Sequence, residues 1–315
     1  MSGRHMLSDH QGYVYVVTGN ATFDANSGGS DYGDAVLKLD ANTLKVVDWF
    51  SPFFSDYKGE NFLEEFDSDL GSAGATFIPN TTFLLASGKS GNGYVIDTAN
   101  MGHWHAMSDS IVQTVRLAWS YNQTSCTSTG TPSGSSLIYG TPAIWTGPDG
   151  THVYVWGSLD YLRDYVLDKN GHFSTHGICF CDAGWTLGDG TTNYTIAVAD
   201  PPCAVPSSES PDYVAGNGSP GGVVSVSSNG KEVGTGIVWA ARPLPPGALW
   251  APVAGELEAF DATSLTHPLW TSNDNAARDS VGNWGKYTPP TIANGKVYLA
   301  TQSNQLVVYG LLPAK

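Results

Sequence analysis

Four carboxylates crowd into six positions at Glu64, Glu65, Asp67 and Asp69, just ahead of the turn Leu70-Gly71-Ser72. Acids this close raise one another's pKa, so one of them could serve as a general base. The same cluster could hold a cation, and a solvated acidic loop is the plain alternative. A second cluster runs Asp24-Ala25-Asn26-Ser27-Gly28-Gly29-Ser30-Asp31-Tyr32-Gly33-Asp34. Its carboxylates, Asp24, Asp31 and Asp34, sit on a Gly-rich loop, and calcium favours oxygen donors on such flexible turns. The spacing is not that of an EF-hand, and a solvated hairpin loop accounts for the same residues. Gly88-Lys89-Ser90-Gly91-Asn92-Gly93 lacks the Walker spacing and is not a P-loop. His103-Trp104-His105 has no third ligand evident and reads as packing and loop structure. No Gly-x-Ser-x-Gly elbow is present, so hydrolase chemistry gains no support.

The elements that must carry these loops recur along the chain. Tyr13–Gly19 with Ala35–Ala41, Phe83–Gly88 with Gly93–Asp97 and His152–Gly157 with Arg163–Asp168 share one pattern. Gly236–Ala240 with Leu257–Asp261 and Lys296–Thr301 with Gln305–Gly310 repeat it. Each copy joins two β-branched and aromatic runs across a turn, usually closing on Asp. Recurrence at tens of residues marks a solenoid or propeller array. Entry strands carrying Pro, and Trp49 and Trp270 after the near-identical turns at Asp40 and Asp261, bring each unit to four strands. The expected fold is therefore all-β: a single β-propeller domain over 1–315 with about five four-stranded antiparallel blades. The stretch from about 171 to 222 fits no blade and is rich in Cys and Pro. It reads either as a functional lid or as a decoration pinned by disulfides. An open arc of blades would leave exposed edges, so closure of a small ring or pairing with another chain is expected.

Charge narrows the partners. With 14 basic residues against 29 acidic ones, the net charge is −15. This argues against nucleic acid and anionic membranes. No stretch is long and apolar enough to span a bilayer. The four cysteines, Cys126, Cys179, Cys181 and Cys203, favour disulfides over zinc, with connectivity open. Sequons open at Asn20, Asn80, Asn122, Asn193 and Asn217. Together these point to a secreted or periplasmic glycoprotein.

Taken in order, several motifs resemble the pyrroloquinoline-quinone (PQQ) dehydrogenases. They are Thr18-Gly19-Asn20, the run Gly33 to Lys45, Asp67-Ser68-Asp69, and Lys89-Ser90-Gly91-Asn92-Gly93-Tyr94-Val95-Ile96-Asp97. The resemblance is clearest over roughly residues 12–104. It implies a propeller with PQQ and calcium at its axis and an alcohol or sugar as substrate. By position it implies Asn20 and Asp69 as calcium contacts, Asp69 as catalytic base and Lys89 as the cation beside the quinone oxygens. Ser68 stands where that family places Trp before its catalytic Asp. The family's paired cysteines and calcium-binding Glu lie in blades ahead of the Asn20 position. The chain thus looks like the C-terminal five-eighths of an eight-bladed propeller, or a reduced relative. The second function implied by the residues is a non-catalytic propeller that binds a protein or glycan through its loops.

Overall fold

The computed structural model describes residues 6–53, 63, 67–119, 137–176, 185–188, 193–196, 201–214, 220–248 and 250–311. Glu64, Glu65, Cys126, Cys179, Cys181, Asn122 and Asn217 lie outside them. The chain is all-β and built from consecutive up-and-down sheets. The first sheet takes β1 (Leu7–Ser8), β2 (Tyr13–Val17), β3 (Val36–Asp40) and β4 (Val46–Phe50) in that order. The second runs β5 (Gly74–Phe77), β6 (Phe83–Ser87), β7 (Asn92–Asp97) and β8 (Gln113–Arg116). The third begins with β9 (Ala143–Thr146), β10 (Thr151–Trp156) and β11 (Tyr161–Leu167). The chain then leaves through β12 (Thr175–His176), β13 (Trp185–Gly188), β14 (Asn193–Ile196) and β15 (Cys203–Ala204). It returns as β16 (Ser208–Tyr213), which pairs with β11 and completes the third sheet. The fourth comprises β17 (Val223–Ser227), β18 (Ile237–Pro243), β19 (Gly255–Asp261) and β20 (Ser264–Thr271). The last has three strands, β21 (Thr291–Ala293), β22 (Lys296–Ala300) and β23 (Leu306–Gly310).

The five recurring pairs of the sequence are therefore β2/β3, β6/β7, β10/β11, β18/β19 and β22/β23. The closing Asp has a local cause. Asp40 Oδ1 accepts the backbone N–H groups of Asn42 and Thr43 at 3.1 and 2.8 Å. Asp97, Asp168 and Asp261 do the same for Ala99, Asn170 and Thr263 at 3.0, 2.8 and 2.8 Å. A carboxylate that caps its own turn lets the chain reverse without leaving N–H groups bare.

The segment from 171 to 222 departs from the expectation that it fits no blade. Ser208–Tyr213 supplies the fourth strand of the third sheet, held by register at Tyr161↔Tyr213, Arg163↔Glu209 and Asp164↔Ser208. Cys203, buried, pairs in parallel with Arg116 and extends the second sheet beyond β8. The strand content of this piece escapes the pattern because Ser208, Glu209, Ser210, Pro211 and Asp212 carry no apolar alternation.

Period-two alternation stacks the sheets in chain order. Leu84 and Ala86 face Tyr15, Val17 and Val36 of the first sheet, while Leu85 and Val95 face Val153 and Val155 of the third. Tyr154 and Trp156 turn to Val238, Ala240 and Phe260 of the fourth. Leu257 and Ala241 turn to Val297 and Leu299 of the fifth. Each interior sheet buries both faces, so its strands read as near-continuous apolar runs. Leu306 and Val308 on the last sheet are exposed.

Candidate functional site

Antiparallel order brings one set of connections to a common end. The β2–β3, β6–β7, β10–β11 and β18–β19 connections lie there, as do the entries to β5, β9, β17 and β21. Asn20, Asp69 and Lys89 all meet at this end, between the first two sheets. Thr18 sets the position of Asn20: its hydroxyl donates to the Tyr32 carbonyl at 2.6 Å and accepts the Ala35 N–H at 2.8 Å. Asp69 enters a 3-10 turn, Leu70–Ser72, that leads into β5. Two glycines let these backbones close. A Cβ on Gly71 would lie 2.8 Å from the Thr18 carbonyl oxygen, and one on Gly88 would lie 2.5 Å from that of Asp69.

The Asn20 N–H donates to Asp69 Oδ1 at 3.0 Å, and Asn20 Nδ2 donates to Asp67 Oδ1 at 3.1 Å. Lys89 Nζ contacts Asp69 Oδ2 and lies 2.7 Å from Asp67 Oδ1. The Lys89 N–H also donates to the Asp69 carbonyl at 3.1 Å. The Asp69 and Lys89 side chains are 2% and 5% exposed, against 77% for Asp67. Asn20 Oδ1 is buried and finds no hydrogen-bond partner.

Electrostatics at Asp69 runs opposite to the expectation of a raised carboxylate. Burial alone would lift its pKa, but hydrogen bonds, those from Lys89 and the Asn20 N–H among them, and the Lys89 charge outweigh burial and hold it at about 2. Burial would likewise depress Lys89, yet Asp67 and Asp69 raise it. At neutral pH the pair is therefore a carboxylate and an ammonium. Such a carboxylate is a weak base, and both of its oxygens already serve donors of this chain.

The Asp24–Asp34 loop does not gather its carboxylates. Asp24 Oδ1 accepts the Asp31 N–H at 2.8 Å, tying the loop to itself. Asp34, fully buried with φ of 46°, accepts the Leu70 N–H at 2.9 Å. Among the described residues no group of three or more His, Cys, Asp or Glu side chains is placed to hold a metal ion. His103 stacks on Trp49 with centroids 4.7 Å apart and bonds Asp48 at 3.0 Å, a packing role.

Two further charge clusters at this end escaped sequence reasoning. Arg163 reaches Asp160 at 2.5 Å and Glu209 at 2.7 Å, with its guanidinium 3.7 Å above the Trp119 ring. Arg242 reaches Glu256 at 2.6 Å, Asp212 at 3.0 Å and Glu258 at 3.2 Å. Burial pushes Glu258 up to about 8, and its Oε1 has no partner. Arg163 and Glu258 stand inside the recurring strand runs, so a charge among alternating apolar residues was the available signal.

Aromatic side chains also collect here. Trp250, between β18 and β19, is 85% exposed. Tyr287 is 37% exposed with φ of 62° and packs 6.1 Å from Tyr139. Tyr161 and Tyr213 pair at 5.3 Å. A cleft of about 460 Å³ opens along the first strands of the second to fourth sheets, lined by Thr76, Thr141, Ile144, Ser225, Tyr287 and Pro289 among others.

No protein-family model matches the chain. No curated protein matches it. Among solved structures, the chain is similar to a quinohemoprotein alcohol dehydrogenase from Comamonas testosteroni, with 14% identity and a TM-score of 0.36. That match covers 94% of this chain and 43% of the dehydrogenase, so the chain spans less than half of its length. A second likeness is to an exo-1,5-α-L-arabinanase from a bovine ruminal metagenomic library, with 10% identity and a TM-score of 0.31. It covers 96% of this chain and 90% of that one. Likenesses at this level establish no function.

Proposed function

We propose that this chain is a non-catalytic β-propeller of quinoprotein type that binds a glycan at its loop end. The observation that carries this reading is the cleft of about 460 Å³ with the part-exposed ring of Tyr287 in its lining. That volume lies in the usual range for small-ligand sites. An aromatic face backed by a second ring gives a sugar a stacking surface at little entropic cost. A non-glycine residue held at positive φ is kept there only by its surroundings, which fits a placed contact residue. Exposed Trp250 lies at the same end and supplies a second platform. The sequons and the four cysteines support a secreted or periplasmic setting. Exposed Leu306 and Val308 support completion of the last sheet's outer side by another chain or by further blades.

A glycan array followed by calorimetry tests the proposal. The Tyr287→Ala change is expected to weaken binding of the best hit about tenfold, equivalent to about 1.4 kcal/mol. An array without hits, or a Tyr287→Ala protein that binds as the wild type does, sinks it.

A second reading, oxidation of an alcohol or sugar with PQQ and calcium, is favoured by the meeting of Asn20, Asp69 and Lys89 at one point. The residues present do not fit the calcium ion. The Lys89 ammonium already lies against both carboxylates, and Asp69 has no oxygen to spare. Dye-linked alcohol or glucose oxidation after adding PQQ and calcium tests that reading, with Asp69→Asn as the control. Activity lost in Asp69→Asn would favour it over the binding role.

A further inference from the structure

The cation that the Asn20–Asp67–Asp69 cluster needs is supplied by the chain itself. We infer that Lys89 is the resident cation of this site, its ammonium standing where a divalent metal would otherwise sit. This inference concerns the ion cluster alone and does not depend on glycan binding.

Three observations carry it. The first is charge: two carboxylates converge on one ammonium, with Lys89 Nζ 2.7 Å from Asp67 Oδ1 and in contact with Asp69 Oδ2. The second is anchorage. The Lys89 N–H holds the Asp69 carbonyl at 3.1 Å, and Gly88 packs directly on the Asp69–Leu70 backbone. The short β6–β7 turn therefore keeps the side chain over the acids. The third is the donor set. Asn20 gives its amide N–H₂ to Asp67 and leaves Oδ1 buried without a partner. Two carboxylates and an amide oxygen on adjoining loops are the donors a hard cation selects. With Lys89 in place, an entering calcium would meet a positive charge within about 3 Å, a repulsive approach. A tethered ammonium also needs no ion from solution, so the joint between the first two sheets holds at any calcium level.

Thermal unfolding with calcium chloride as the probe tests this. Wild-type protein is expected to melt at the same temperature in 5 mM calcium (about a millimolar-site saturating level) and in EDTA. Lys89→Met removes the charge while keeping most of the side-chain volume. It should melt lower in EDTA and recover several degrees in calcium. The double variant Lys89→Met/Asp69→Asn should not respond. Sensitised terbium luminescence gives a second readout: binding by Lys89→Met and none by wild type. If Lys89→Met folds only with calcium, that refolding is the expected response. A calcium-dependent rise in the wild type overturns the inference. So does a Lys89→Met protein that ignores calcium, or one that fails to fold with or without it.

Discussion

Replacing Arg163 by methionine is expected to lower folding stability by about 3–5 kcal/mol, the usual cost of breaking a buried ion pair from one side. The side chain is 1% exposed and serves three groups at once: Asp160 at 2.5 Å, Glu209 at 2.7 Å and the Trp119 ring at 3.7 Å. Asp160 is itself 1% exposed, so removal of Arg163 takes the counter-charge from a carboxylate that water cannot reach and leaves it to neutral donors such as the Trp119 and Tyr161 N–H groups. Glu209 belongs to β16, the strand that returns after the long excursion, so the pair also pins that strand to β11. Lysine at this position keeps the charge but loses the planar fork that spans two carboxylates, and should restore only part of the loss. Urea unfolding midpoints for wild type, Arg163→Met and Arg163→Lys measure this. A loss below about 1 kcal/mol would place Arg163 among ordinary surface pairs.

The second large effect concerns pH. Burial holds the Glu258 carboxyl at about 8, well above its ordinary value of 4.5, with Asp212 and Glu256 adding to the rise and Arg242 opposing it. The raised value fixes the sign. Between the two pKa values the unfolded chain releases this proton and the folded chain keeps it. Unfolding is therefore increasingly favoured as pH rises through that window, and the group's contribution is fully present only below about 4.5. The loss is on the order of 3–5 kcal/mol by pH 8, following 1.36 kcal/mol for each pH unit. Glu258→Gln carries no titrating proton, so its stability should fall less steeply. By pH 8.5 the variant should be the more stable of the two, while at pH 4.5 the two should be close. Chemical unfolding of both proteins across pH 4.5–8.5 would refute this if the curves ran parallel.

Much of the architecture was legible in the residues. Each of the five strand pairs read from Tyr13 to Gly310 is a hydrogen-bonded pair, because alternation and turn chemistry are local. Asp40, Asp97, Asp168 and Asp261 close their strands by capping their own turns, which a sequence states directly. The strand Ser208–Tyr213 was not legible, since Pro211 and four polar residues hold it in place through Arg163 and Asp164 rather than through propensity. The Arg242 cluster was equally hidden. Its members come from β16, β18 and β19, and nothing in their spacing announces that three acidic side chains share one guanidinium.

The candidate site divides the same way. Sequence alone singled out Asn20, Asp69 and Lys89, from a resemblance and from the turns that carry them. It also allowed mutual repulsion among carboxylates and a raised pKa at one of them, beside a bound cation or a solvated acidic loop. Only tertiary structure decided the charge state. The β6–β7 turn lays Lys89 over Asp67 and Asp69 at the entry to β5, while Asn20 reaches Asp69 from the first sheet, and the attraction of Lys89 lowers Asp69 against desolvation. A sequence names which charges a chain owns. Distances between strands that lie far apart in the chain decide which charges neutralise one another, because Coulomb energies depend on separation in space and on the water excluded from between them.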